Sequence, residues 1–419
     1  MSNYKYTIVQ DGTLLKRDIG ENYKNYFTYR DIKSNNKGDY INFVGFIFTE
    51  EEAIVSFPKH FFSEEDLSKI NKNPLNLEAY LEPLFKIIQK SMNKKNKRLL
   101  QVKQEINKSY PFEAFFNVYQ YYQKYGLFTQ EREIKRFGYN GKILWKDTFN
   151  KSPLVINHGN LLFMPPVLQK RVTDYVFISK CMAFVINTTI DKFRFLFKFP
   201  QVNLEFRDID FSNNEKIIKN LKQIKQHLFK DIHLRLIEDL IVYFKNQNHG
   251  SKHLEVKIYS FHLIWEDMIK HYLNKYFLKI DENSDEMIFG NTGKEQHNFQ
   301  KRGFKLDSRR KMKGLKTYKI EPDYYFEEGK NKYIFDAKYY TEVNKLDYKQ
   351  ISYYFLLKNF VNGRNLRTYN ALILPTSELR IKSIHFDLDK EFCEADEQFK
   401  IIEYYLNMQK IIQVYLNNY

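Results

Sequence analysis

Apolar positions crowd together between residues 40 and 57, as YINFVGFIF and then AIVSFP, around the polar Thr49-Glu50-Glu51-Glu52; this pattern predicts a β-hairpin. Ser63 with Asp66 resembles a capping box and predicts a helical stretch to about Lys90, interrupted near Pro74. Residues 112–125 (FEAFFNVYQYYQKY) have helical spacing and are strongly aromatic. Residues 138–166 are turn-rich with short apolar runs (KILW, PLVI, NLLFM) and predict strand and loop. A helical pattern follows from about Leu168 to Ile190, and a long amphipathic helix or helix pair over 214–247. The polar stretch NQNHGSK, residues 246–252, marks a domain boundary.

Beyond that boundary the order of elements changes. The pattern predicts a helix at about 255–279, a basic loop, a strand over 317–326, a turn at 327–331 and a strand over 332–340. A helix at about 346–359, a strand at 367–374, a further strand at 381–387 and a C-terminal helix from about 392 complete it. The expected fold class is α/β (α+β): a C-terminal domain over 251–419 with a central mixed sheet flanked by helices. A mixed α+β region over 1–250, with a break near 130–165, precedes it. Neither an internal repeat nor a low-complexity tract is present.

Composition narrows the class. The 419 residues suffice for two or three domains, and 43% hydrophobic with 17% aromatic residues supports a packed core. No run of about 20 apolar residues occurs; the nearest, Tyr175 to Ile190, is short and carries Lys180. The first residues (MSNYKYTIVQDG) lack a signal-peptide core, and the cysteines are Cys181 and Cys393, far apart. A reducing cytoplasm is therefore expected, without a cysteine-built zinc site. The net charge of +16 favours a polyanion partner, although Lys-rich composition also marks proteins of AT-rich genomes. The charge is clustered: residues 301–319 hold nine basic side chains against one acid, Asp307, and Lys94, Lys95, Lys97 and Arg98 form a second group. Such runs are often only solvated faces.

The first basic run leads into a set of residues with chemistry. In the strand KYIFDAKYY, residues 332–340, Asp336 and Lys338 point to one side because side chains alternate. A carboxylate there can hold a divalent metal, and the ammonium can orient water and offset charge on a phosphate. Triplets of this kind also arise by chance, as at Glu133-Ile134-Lys135. Pro322-Asp323 lies thirteen residues before Asp336, on a segment that pairs naturally with it as a hairpin. Asp323 can then face Asp336, and two converging carboxylates are costly without a cation between them. Mg²⁺ suits such a site, taking one or two carboxylates, several waters and the substrate phosphate. Mn²⁺ can substitute for it. Asp323 read alone is a turn aspartate after proline.

Gln350 and Tyr354, four apart on the next helix, share a face. They could serve the active site or DNA, or pack the helix on the sheet. Upstream, Glu266 sits in an apolar lane with Leu263, Ile269 and Leu273 and needs a partner or a metal there, unless it lies at the helix margin. Asp267, Glu238 and Asp239 are weaker alternatives. The basic residues Lys301, Arg302, Arg309, Arg310, Lys311 and Lys313 would contact DNA phosphates, which positions DNA without reading sequence. Aromatics in 112–125 could stack on bases, but such a stripe is more often core.

These residues in this order resemble the PD-(D/E)XK nuclease superfamily: Glu266 on a helix, Pro322-Asp323, Asp336-Ala337-Lys338, then the Gln350…Tyr354 helix. The last pair is similar to the Gln-x-x-x-Tyr extension of the RecB-like branch. NFVGFIF and AIVSFPKHFF resemble the start of LlaJI-type restriction endonucleases. Gly141 to Thr148 (GKILWKDT) resembles a stretch of that family and of McrC-like subunits. The resemblance implies a bacterial restriction enzyme that hydrolyses foreign double-stranded DNA. Its metal would be held by Asp323, Asp336, the Ala337 carbonyl and Glu266, with Lys338 and Gln350 completing the catalytic set. The McrC-like resemblance also raises the prospect of a McrB-like AAA+ GTPase partner; this chain has no G-x-x-x-x-G-K-[ST] loop, so any nucleotide-driven step would need a second protein. A second copy of the chain is a further expected partner, and no membrane is. The competing readings are a repair or transposition nuclease of the same fold and a non-catalytic DNA-binding protein on it. A serine or cysteine hydrolase lacks support: no G-x-S-x-G motif is present, and the ten histidines are scattered.

Overall fold

The computed structural model describes residues 5–15, 26–48, 52–72, 77–92, 106–108, 110–158, 160–193, 199–247, 254–290, 297–305, 319–340, 343, 345–357, 366–379, 381–393 and 398–417. The chain forms two compact units, Pro111–Gly250 and a second made of Met1–Tyr110 with Ser251–Tyr419. One division falls at residue 250, within the polar stretch 246–252. The grouping differs, because the first 110 residues join the C-terminal part.

The join is made by a strand. β1 (Lys5–Gln10), β2 (Val44–Phe48), β3 (Glu52–Phe57), β4 (Ile106–Lys108) and β5 (Leu254–Ile258) form a sheet in the order β1-β3-β2-β5-β4. The expected hairpin is present as β2 antiparallel to β3. Its first part is separate: Gly38–Ile41 pairs instead with Ile32–Asn35. β5 corrects the helix expected from 255, since LEVKI alternates with period two and pairs with both β2 and β4. The helix proper is α3 below. α1 (Glu64–Lys72) begins at Ser63, whose hydroxyl accepts the Asp66 N–H at 3.1 Å, and α2 (Leu77–Met92) follows.

The second sheet of this unit carries the candidate site. After α3 (Phe261–Tyr276) come β6 (Tyr324–Glu328), β7 (Asn331–Ala337), α4 (Tyr348–Leu357), β8 (Arg367–Thr376), β9 (Ile381–Asp387), β10 (Lys400–Asn407) and α5 (Met408–Leu416). The sheet order is β6-β7-β8-β10-β9. β7, β8 and β10 run parallel, with antiparallel β6 and β9 at the edges. This is the mixed, helix-flanked sheet expected for the C-terminal part. β10 corrects the helix expected from 392. Its KIIEYYLN is buried on both faces, and a fully buried strand reads as a continuous apolar run without a period of two.

α4 packs on one sheet face. Its Tyr353 and Leu357 meet Ile334 and Tyr325, while Tyr354 meets Leu372, Leu374, Phe399 and Ile401. Asp336 and Lys338 share the parity of Ile334, so they emerge on the α4 side.

The other unit, Pro111–Gly250, contains the aromatic helix Phe112–Tyr125, with Phe112, Phe115, Phe116 and Tyr119 buried. The helix pair is Asn214–Lys225 and Asp231–Asn246. The helix expected from Leu168 begins only at Phe177, because Val167–Tyr175 is a strand pairing with Thr129–Phe137 and Lys142–Ile143. Trp145–Lys151, expected as strand or loop, is a short helix. No helix among the described residues is long and apolar enough to cross a membrane.

Candidate active site

The hairpin β6–β7 brings the acids together. It turns at Gly329, whose φ of 59° glycine adopts without a side-chain clash. Tyr324 pairs with Phe335, which carries Asp323, one residue before β6, to the place opposite Asp336. Pro322, without an N–H, separates β6 from the preceding short strand Lys319–Ile320. The Tyr353 hydroxyl fixes this approach by donating to the Glu321 carbonyl at 2.9 Å. Lys338 follows the end of β7, and its N–H donates to the Ile373 carbonyl at 2.9 Å, extending the pairing with β8.

Asp323 and Asp336 are 8% and 1% exposed. Their side chains are close enough to hydrogen-bond, which favours one of the two carboxyls in its protonated form. Burial, then the Asp336 charge and that bond, then Glu266, push the Asp323 carboxyl up to about 8. Asp336 moves the other way. Burial would raise it, but the bond from Asp323 and the charges of Lys338 and Lys349 hold it below its ordinary value. The Lys338 ammonium lies 2.5 Å from Asp336 Oδ2 and 2.8 Å from Asp347 Oδ2. Burial would favour the neutral amine, yet these two carboxylates raise its pKa and keep it charged. Lys349 Nζ takes the other Asp336 oxygen, Oδ1, at 3.3 Å. Lys301 Nζ stands 3.8 Å from Asp323 Oδ1.

Two further residues of this cluster are absent from the sequence reading. Asp347 has a double role: it pairs with Lys338, and its Oδ1 accepts the Gln350 N–H at 3.1 Å, capping α4. An aspartate in the first turn of the helix predicted from about 346 was a legible cap signal. Lys349 had no comparable signal. Behind Asp347, its backbone N–H donates to His385 Nε2 at 3.2 Å. That leaves the proton on Nδ1, which faces Glu403 Oε1 at 2.8 Å. Ser383 and Tyr405 each donate to Glu403 Oε2 at 2.6 Å.

The other expected residues are placed as follows. Glu266 is half-buried on α3 and near enough to raise Asp323, while its carbonyl accepts the Tyr324 hydroxyl at 2.6 Å. It does not complete a cage: among the described residues no three His, Cys, Asp or Glu side chains are grouped to hold a metal. Gln350 is fully buried beside Lys349, and its side-chain amide has no hydrogen-bond partner among the described residues. Tyr354, expected at DNA, is a core residue instead, its ring 4.3 Å from that of Phe399. Asp267 accepts the Tyr415 hydroxyl at 2.5 Å. Arg302 lies over the Tyr325 ring at 5.0 Å. Arg309, Arg310, Lys311 and Lys313 lie outside the described residues, as does the basic group at 94–98.

The donor set fits a hard divalent cation. Two buried carboxylates share a proton that such an ion would displace, and Mg²⁺ needs only one or two carboxylates alongside waters and substrate.

Comparison with known proteins gives one family. The model of the LlaJI restriction endonuclease matches residues 43–417. No curated protein matches the chain. Among solved structures, a chain from the tetradecameric assembly of Thermococcus gammatolerans McrB AAA+ hexamers with bound McrC is 11% identical. The alignment covers 98% of both chains at a TM-score of 0.35, too low to show a shared fold.

Proposed function

Starting from the fact that this chain belongs to the LlaJI restriction endonuclease family, we propose that it hydrolyses phosphodiester bonds of foreign double-stranded DNA at a PD-(D/E)XK-type centre using Mg²⁺. The observation that supports this is the meeting of the buried acids Asp323 and Asp336 and of Lys338 at the end of one hairpin, with the Lys338 ammonium on Asp336.

Asp323 and Asp336 would hold the ion, with the Ala337 carbonyl as a neighbouring donor and Glu266 as an outer carboxylate. When bound, Mg²⁺ polarises the scissile phosphate and lowers the pKa of a bound water. Lys338 stays an ammonium between Asp336 and Asp347, so it acts as a donor and a cation and not as a base. It orients the attacking water and offsets charge developing on the phosphate. Asp347 fixes its position, and Lys349 supplies a second cation at Asp336. Lys301 and Arg302 would meet flanking phosphates.

A plasmid-cleavage assay with and without Mg²⁺ tests this. Asp336→Ala and Lys338→Ala should abolish cutting while duplex binding persists, and full activity in either purified variant overturns the assignment.

One feature favours a partner-dependent form of the same reading, a McrC-like subunit acting with a McrB-like AAA+ GTPase. The hairpin of Leu154–Asn157 and Asn160–Phe163 exposes Leu154, Ile156 and Leu161 at 50%, 69% and 61%. Contiguous exposed apolar surface of this kind marks a site of association. Cleavage would then require the GTPase, and Ile156→Asp should remove that stimulation.

A further inference from the structure

Within the unit that holds the acid cluster there is also a cleft of about 720 Å³. Lys33 and Lys37, from the hairpin of Ile32–Asn35 and Gly38–Ile41, line it together with Lys59. Tyr40 and Tyr340 add rings to its walls. Among the described residues lining it, the one acid is Asp11. That carboxyl is hydrogen-bonded to the Tyr339 hydroxyl, and burial holds it above its ordinary range. The Tyr339 hydroxyl also accepts the Lys59 N–H at 2.8 Å, which ties this lining residue to the chain just beyond β7.

Two connections join this cleft to the acids. Tyr340 is two residues beyond Lys338, so their Cα atoms lie within about 7 Å of each other. His262, near enough to Asp11 to influence its carboxyl, stands one turn before Glu266 on α3, on the same helix face. A concave surface with one dominant sign of charge focuses its field on an approaching polyanion. In-line attack also needs the backbone on each side of the reacting phosphate to be held in place.

We propose that this cleft holds the phosphodiester backbone of the DNA strand next to the scissile bond, with Lys33, Lys37 and Lys59 facing its phosphates. The inference rests on the nuclease reading above. It makes the segments that carry Lys33, Lys37 and Lys59 part of the substrate-positioning surface.

The test uses the full chain, a short labelled duplex and EDTA, and follows affinity by fluorescence anisotropy against salt. Lys33 and Lys37 are both exposed, so Lys33→Ala/Lys37→Ala leaves packing intact. Losing two phosphate contacts should flatten the log–log salt slope by about 1.8. Between about 50 and 200 mM salt the wild type should then lose about tenfold more affinity than the variant. Lys33→Glu/Lys37→Glu should weaken binding further. Inorganic phosphate and a mononucleotide serve as competitors. Either one displacing duplex efficiently from the wild type and not from the variant indicates a small-anion site and overturns the proposal. An unchanged slope in the variant, with a wild type that binds and cuts, overturns the inference and leaves the nuclease reading standing. A wild type that neither binds nor cuts removes both.

Discussion

At pH 7 the Asp323 carboxyl, pushed up to about 8 by burial and then by Asp336 and Glu266, is about nine-tenths protonated. At pH 9 the protonated fraction is about one-tenth. A divalent cation binds the carboxylate form, so its arrival must expel this proton. Binding should therefore release about 0.9 proton per ion at pH 7 and about 0.1 at pH 9. Apparent affinity should rise about tenfold per pH unit below about 8 and then level off. The proton belongs to the Asp323–Asp336 pair, and the count reports the pair. Calorimetric titration of the metal-free chain with Mg²⁺, in buffers of different ionisation enthalpy, reads this number directly. Asp323→Asn should bind the ion weakly and release no proton. The same shift has a stability consequence in EDTA. A carboxyl raised in the folded state binds its proton more tightly there than in the unfolded chain. Its contribution is full below the unfolded value near 4 and is lost as pH rises through about 8. The Tm advantage of Asp323→Asn over wild type should thus grow from pH 5 to pH 8. Clear binding heat at pH 7 with no proton released would refute the shared-proton argument.

Tyr354→Ala should lower unfolding stability by about 3–5 kcal/mol in urea, the range for emptying a buried aromatic site, and leave the DNA salt slope unchanged; weakened DNA binding at unchanged stability would restore the DNA-contact role. His385→Ala should lower kcat about 10- to 100-fold with little change in KM, since it frees the Asp347 N–H that positions Lys338's partner. His385→Gln, whose side-chain carbonyl can still accept that N–H, should recover part of the loss, and a His385→Ala enzyme with wild-type kcat would rule the positioning role out.

The legible part of the site was short-range. Asp336 and Lys338 share a side because β strands alternate, and Pro322-Asp323 is one hairpin away from them. Both facts are contained in 17 consecutive residues, 322–338. The meeting of Asp323 with Asp336 needs only the register of β6 on β7, which the turn at Gly329 sets locally. The aromatic helix Phe112–Tyr125 was readable as core for a similar reason, since helical periodicity encodes which face is buried.

Amino-acid order by itself determined the hairpin, the parity of its acid and amine, and the surplus of positive charge. Tertiary structure decided the rest. It set β10 between β8 and β9, where burial on both faces erases the alternation that would mark a strand. It carried Asp347 and Lys349 from the start of α4 onto Lys338 and Asp336, and His385 and Glu403 behind Asp347. It moved Tyr354 into the core and brought Lys33, Lys37 and Lys59 into the unit of the acid cluster. Local pattern reports what a residue's near neighbours impose on its backbone. Which distant charge will lie 3 Å away depends on how separate elements pack, and the free energy of that packing is shared over the whole core.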